Sequence, residues 1–172
     1  MRWIAGVVVF ALCTPASAEV LRGKVVHVAD GDTITVLTAD KVQHKIRLDD
    51  IDAPEKTQAF GTKSKQKLSE LVGEKEVIVN WKKKDRYDRI LGQVHLGRRD
   101  INLEMVEAGL AWHYKQYSKD QTFADAEHLA RQAHRGLWVD KSPEPPWEFR
   151  KRKHPKTQAS QESVAGAGRP VR

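Results

Sequence analysis

"VLRGKVVHVADGDTITVLT", residues 20–38, reads as two β-branched runs broken by Asp30-Gly31. An Asp-Gly pair between two such runs signals a hairpin, because both residues tolerate the backbone conformation that a tight turn needs. Residues 42–48 then alternate, with Val42, His44, Ile46 and Leu48 on one face and Gln43, Lys45 and Arg47 on the other. Phe60, Ser64, Leu68, Leu71 and Val72 recur at helical spacing up to Gly73, the expected helix stop. "KEVIVNW" (75–81) and "ILGQVHL" (90–96) read as two further strands joined by a charged hairpin. Asp100 is expected to cap a second helix striped with Leu103, Val106 and Leu110. A third starts near Asp120 and carries Phe123, Ala126, Ala130, Ala133 and Leu137 at helical intervals. Three strands, a helix, two strands and two helices make an α+β order, and a five-stranded OB-like β-barrel with three α-helices suits it.

The ends differ from this middle. Residues 1–18, "MRWIAGVVVFALCTPASA", have the form of a signal peptide: Arg2, an apolar run from Ile4 to Leu12, and an Ala16-Ser17-Ala18 cleavage site. The apolar run is far shorter than the roughly 20 residues that cross a bilayer, so no membrane association is expected after cleavage. Cys13 is the single cysteine and would leave with the signal, so the exported chain, secreted or periplasmic, would hold no disulfide. From Lys141 the composition turns proline-rich and basic, then small and polar, so 19–140 is expected to be the domain and 141–172 a flexible tail.

Net charge is less informative than its distribution. Of the formal +7, Arg2 carries one, and residues 141–172 carry +5 from eight Lys/Arg against three Asp/Glu, which leaves +1 for residues 19–140. Composition alone therefore allows a solvated surface with a basic tail as readily as a nucleic-acid binder.

The chemistry concentrates in "RLDDIDAPE", residues 47–55. Asp50 and Asp52 would share one side of a regular strand, and Asp32 stands just past the hairpin turn. Asp32 and Asp52 can meet at one end of a barrel, and a hard divalent cation between them would offset their repulsion. Taken singly, the acidic run is an ordinary strand end and Asp32 an ordinary turn residue. No EF-hand, zinc-ligand, nucleophile-elbow or glycine-rich phosphate-loop pattern is present.

Five segments in order, "VADGDTITV", "IRLDDIDAPE", "DRYDRILGQV", "INLEMVEAGLAWHY" and "AEHLARQAHRGLW", resemble the staphylococcal (micrococcal) nuclease or thermonuclease family over residues 20–139. The resemblance implies a calcium-dependent nuclease acting on DNA and RNA and leaving 3′-phosphate ends, and an open barrel edge is expected to admit single strands more readily than duplex. It makes Asp32, Asp52 and the main-chain carbonyl of Ala53 the calcium ligands, with Ala53 standing where the family often has threonine. It makes Glu55 the residue that activates or positions the attacking water, and Arg47 and Arg89 the phosphate clamp. Arg86 and Tyr87 would border the nucleotide, as would Tyr114 and Tyr117, with the choice of stacking partner open. Asp49 and Asp50 receive no catalytic role. A monomer is expected. The rival reading is a catalytically silent OB module that only binds nucleic acid, for which Glu55 and the metal pair would have no use.

Overall fold

The computed structural model describes residues 19–153, so the expected signal segment lies outside it, as does the expected tail from residue 154 onward. The Asp30-Gly31 turn joins β1 (Glu19–Val28) to β2 (Thr33–Leu37) as an antiparallel pair, with Val28 opposite Ile34. The Asp30 side chain accepts the Asp32 backbone N–H (3.1 Å), and the Ala29 N–H donates to the Thr33 carbonyl (2.8 Å), so the turn holds itself. Strand β3 (Gln43–Leu48) pairs antiparallel with β2 and sets Arg47 directly across from Thr33.

The strand does not run on through the acidic stretch. Asp50 adopts a left-handed backbone (φ 65°), and only then does the two-residue β4 (Ile51–Asp52) begin. The expected regular alternation of Asp50 with Asp52 is thus broken, because the chain turns between them. The same positive φ, tolerated by Asp, starts a new direction for Asp52.

Helix α1 (Gly61–Val72) buries Ser64, Leu68, Leu71 and Val72 as the spacing requires. Its stop differs in detail: Gly73 is extended (φ −53°, ψ 131°), and Glu74 takes the positive φ. Strands β5 (Glu76–Lys84) and β6 (Ile90–Leu96) form the second hairpin, and β5 also pairs with β1. Parallel pairing of β3 with β6, Ile46 against Ile90 and Leu48 against Gly92, closes the five long strands into a barrel. Irregular register at Val25/His27 in β1 and at Trp81/Lys83 in β5 lets the strands coil enough to close.

A two-residue strand β7 (Arg99–Asp100) leads into α2 (Ile101–Glu107), where the Asp100 carboxylate accepts the Leu103 N–H at 3.1 Å as the sequence predicts. Strand β8 (Trp112–His113) pairs with β4, putting Asp52 opposite Trp112. Helix α3 (Gln121–Gln132) is capped by Asp120 and buries Phe123, Ala126 and Ala130; Ala133 lies past its end and is exposed. Ile34, Val36, Ile46, Leu68, Val79, Ile101 and Met105 are fully enclosed between the barrel and α1 to α3. Each such aliphatic side chain contributes about 1.5–3 kcal/mol. Of the face expected on β3, only Ile46 and Leu48 are buried; Val42 sits at the strand entrance and is exposed.

The expected count of three helices is one short. A 3-10 turn (Gly136–Val139) is followed by α4 (Pro146–Lys153), inside the segment expected to be a flexible tail. Proline at the first helical position, Glu148 in the first turn and Arg150 to Lys153 in the last suit a helix start and the helix dipole. Pro146 and Phe149 are buried, and Trp147 packs against a second cluster of Trp112, Ala130, Leu137 and Trp138. The Arg131 guanidinium lies over that cluster, 3.8 Å from the Trp138 ring centre. Up to Lys153, then, the segment after Asp140 belongs to the fold. Among the described residues no helix is long and apolar enough to cross a membrane.

Candidate active site

The first turn, the end of β3 and β4 meet at one end of the barrel, and Asp32, Arg47 and Asp52 meet with them. The Arg47 fork divides between the two acids: Nη1 lies 2.6 Å from Asp32 Oδ2 and Nη2 2.8 Å from Asp52 Oδ1. Both carboxylates are buried, Asp52 completely. Asp32 is further fixed by the Ala53 backbone N–H (2.7 Å to Oδ2) and by the Thr33 hydroxyl (3.0 Å to Oδ1).

Burial pushes the Asp32 carboxyl up to about 7, with Asp30 and Asp52 adding to the rise and Arg47 opposing it. Burial also disfavours the Arg47 cation, but the Asp32 and Asp52 charges outweigh it and hold the guanidinium protonated.

Glu55 follows Ala53-Pro54 out of β4 and is half-buried. Its backbone N–H donates to Gln58 Oε1 (3.1 Å), which fixes where the side chain starts. Its carboxylate meets a residue that the sequence reading did not single out. Arg150 of α4 donates from Nη1 to Glu55 Oε1 (2.8 Å) and to Asp52 Oδ1 (3.1 Å), and from Nη2 to Asp52 Oδ2 (2.8 Å). Nothing in the spacing of "FRKRK" distinguishes Arg150 from its basic neighbours; the sole hint is Trp147 and Phe149, two large apolar residues in an otherwise polar stretch.

Arg89 stands apart from the acids. Its Nε and Nη2 both lie 2.8 Å from Asp85 Oδ2, and Asp85 also accepts the backbone N–H groups of Tyr87 (2.9 Å) and Arg89 (3.0 Å) across the β5–β6 turn. Tyr87 is exposed, with the guanidinium carbons of Arg86 and Arg89 at 4.9 and 5.6 Å from its ring centre. Elsewhere in the same cleft Tyr114 and Tyr117 meet edge to face at 4.7 Å, and Trp147 stacks on Tyr114 at 5.4 Å with rings 6° apart. Tyr117 is exposed.

One cleft of about 640 Å³ gathers every residue singled out from the sequence: Asp32, Arg47, Asp52, Ala53, Glu55, Arg86, Tyr87, Arg89, Tyr114 and Tyr117, together with Arg150. Its floor is acidic, and its walls are basic and aromatic. Carboxylate oxygens of Asp32 and Asp52 that lie within one guanidinium span are hard donors of the kind calcium takes, and three carboxylates face two guanidinium groups. Among the described residues no three acidic, histidine or cysteine side chains form a ready cation cage, so further ligands would come from main chain and water.

Residues 45–140 match the family model described as Staphylococcal nuclease homologue. The chain belongs to the staphylococcal nuclease family. A Haemophilus influenzae relative described as an uncharacterized endonuclease is 46% identical over 143 residues, covering 83% of this chain and 80% of its own. An Escherichia coli relative of the same description is 44% identical over 154 residues, 89% of this chain and all of its own. A Shigella flexneri micrococcal nuclease is 40% identical over 162 residues, 88% of this chain and 92% of its own. The closed barrel with its appended helices agrees with membership in the staphylococcal nuclease family, and the family and these relatives make the chain a hydrolase of the nuclease class.

Proposed function

We propose that this nuclease is an exported, calcium-dependent endonuclease that hydrolyses phosphodiester bonds of DNA and RNA with little sequence preference and leaves 3′-phosphate ends. The observation that carries the reading is the buried Asp32–Arg47–Asp52 group with Glu55 beside it, at the floor of a cleft whose walls hold Arg86, Arg89 and three tyrosines.

Asp32, Asp52 and the Ala53 carbonyl would hold calcium, which supplies Lewis-acid neutralisation of a phosphate oxygen. The chain's own groups do the rest. Arg47 and Arg89 offer planar forks of donors that match phosphate oxygens and keep their charge at any working pH. Glu55 orients a water toward phosphorus or takes its proton; the water oxygen forms the new P–O bond, and the bond to the 5′ oxygen breaks. That oxygen leaves as an alcohol after gaining a proton from solvent, and the phosphate stays on the 3′ side. Exposed Tyr87 and Tyr117 give stacking faces that any base can use, which suits single strands and loose specificity. The enzyme acts as a monomer, secreted or periplasmic after loss of residues 1–18.

Heat-denatured DNA and RNA incubated with calcium, with chelator, and with other divalent ions test this directly. Degradation with calcium and none with chelator is expected. Equal cleavage in both would remove the metal role, and binding without cleavage under every condition would favour a silent binding module.

A further inference from the structure

Three arginines of the cleft, Arg47, Arg89 and Arg150, each hold a carboxylate, but not equally tightly. The Arg47 fork is divided between two buried carboxylates, with its side chain 12% exposed. Arg89 is closed onto Asp85. Arg150 differs, since its side chain is 39% exposed and one of its partners, Glu55, is 37% exposed. It lines the same cleft as Arg47 and Arg89 and is the most exposed of the three.

The position of Arg150 does not depend on those ion pairs. Helix α4 is anchored by buried Phe149 and Pro146 and by the Trp147–Tyr114 stack. Gln58 Nε2 also donates to the Glu144 carbonyl (2.6 Å), and Lys153 Nζ to Thr57 Oγ1 (3.1 Å). A guanidinium carried on a fixed helix can exchange one oxyanion for another by a side-chain torsion alone. A phosphodiester offers the same paired oxygens that Asp52 now offers, so it fits the fork without new geometry.

We infer that Arg150 is a phosphate-binding residue of this site: it rests on Asp52 and Glu55 while the cleft is free of nucleic acid, and it turns its Nη donors to a phosphodiester oxygen when a strand enters. The inference rests on the nuclease reading of the cleft and adds a third guanidinium, from a helix outside the barrel, to the two already considered. Asp52 and Glu55 gain as Arg150 leaves, because both carboxylates are then free for the water and cation work proposed for them.

The test uses the full chain with Arg150→Ala, Arg150→Lys and, as a control that removes the same charge one position along α4, Lys151→Ala. The Lys151 side chain is 71% exposed and its ammonium pairs with Glu148. Binding of a fluorescent single-stranded oligodeoxynucleotide in chelator is read by anisotropy against salt, and kcat/KM is read with calcium. Arg150→Ala is expected to weaken binding at least about tenfold and to flatten the slope of log affinity against log salt by about 0.7, the share of one phosphate contact on a single strand. It is also expected to lower kcat/KM about a hundredfold or more, the scale of one lost transition-state donor. Lys151→Ala should stay within about threefold of wild type in both measurements. Arg150→Lys keeps the charge and the fold but not the fork, and should recover the salt slope while remaining at least about tenfold below wild type in kcat/KM.

Equal effects of Arg150→Ala and Lys151→Ala would overturn the assignment, as would a rise in kcat/KM for Arg150→Ala, which would make the ion pairs a brake. Should Arg150→Ala not fold, Arg150→Lys decides: wild-type kcat/KM would sink the proposal. A wild-type chain that binds the oligonucleotide but never cleaves refutes the nuclease reading alone, since the binding comparison still decides Arg150.

Discussion

Asp32 Oδ2 accepts the Ala53 backbone N–H at 2.7 Å, a bond that ties the first hairpin turn to the end of β4 across 21 residues of sequence. The bond fixes one Asp32 oxygen on the side where Arg47 reaches it, so the acidic floor of the cleft and the closure of the barrel end are built from the same contact. Gly31 makes the approach possible. A Cβ at that position would lie 1.8 Å from Ser64 Oγ and 2.8 Å from the Ala53 Cβ.

Gly31→Ala is accordingly expected to cost about 1–3 kcal/mol, the scale of an overpacked interior, and to lower activity by pushing α1 or β4 away from Asp32. Urea denaturation and turnover on denatured DNA measure the two effects. Wild-type stability would mean that α1 and the Ala53 segment move apart at no cost.

Arg47→Ala leaves the buried Asp32 carboxylate without its cation, while Asp52 keeps Arg150. A loss of about 3–5 kcal/mol is expected, because removing one partner of a buried ion pair strands the other charge. Arg47→Lys should recover part of the stability, since its single ammonium cannot sit on Asp32 and Asp52 as a fork does. Chemical denaturation in chelator checks both, and a neutral Arg47→Ala would mean that the acids are neutral or hydrated there.

Asp32 gives the site a pH signature. Burial raises its folded pKa from 3.8 to about 7, so folding favours the protonated form. The associated stability is complete below pH 4 and is lost as pH rises through 7. In chelator, the stability advantage of Asp32→Asn over wild type should therefore grow between pH 4 and pH 7 and level off above it. Melting temperatures of the two proteins across that range are the measurement; a constant difference would place the Asp32 pKa near its ordinary value.

Arg89→Lys is expected to fold normally, because its partner Asp85 still receives the Tyr87 and Arg89 backbone N–H groups, and to lose about a hundredfold in turnover if Arg89 leaves Asp85 to grip phosphate. Steady-state kinetics beside a thermal melt separate the two. Near-wild-type turnover would leave Arg89 as a brace for the β5–β6 turn.

Local signals carried much of this protein into view. Asp30-Gly31 announces the first hairpin, the Ser64–Leu68–Leu71 spacing announces α1, and Asp100 and Asp120 announce two helix caps, each through contacts within a few residues. Asp32 and Asp52 could be paired because strand order brings their ends together. Three features escaped for physical reasons. The left-handed backbone at Asp50 is a choice an Asp can make without displaying it. Helix α4 offers no apolar stripe, since its hold on the domain comes from Phe149, Pro146 and one stacked tryptophan. Arg150 meets Asp52 only because that helix docks, a tertiary event with no periodicity to read.

The segment after Asp140 gives the sharpest contrast between composition and structure. Read as a flexible basic tail, residues 141–172 could be deleted with turnover at saturating substrate intact and only the salt dependence of binding reduced. The described part of that segment instead buries Phe149, worth about 1.5–3 kcal/mol alone, covers the face of Tyr114 with Trp147, and supplies Arg150 to Asp52 and Glu55. Truncation after Asp140 is therefore expected to lower stability by at least that amount and to expose Trp112, shifting tryptophan fluorescence to the red. It is also expected to lower turnover at saturating substrate, because Tyr114 loses its backing and the floor loses a guanidinium. A truncated protein with full stability and full turnover would show that α4 rests on the domain without contributing to it.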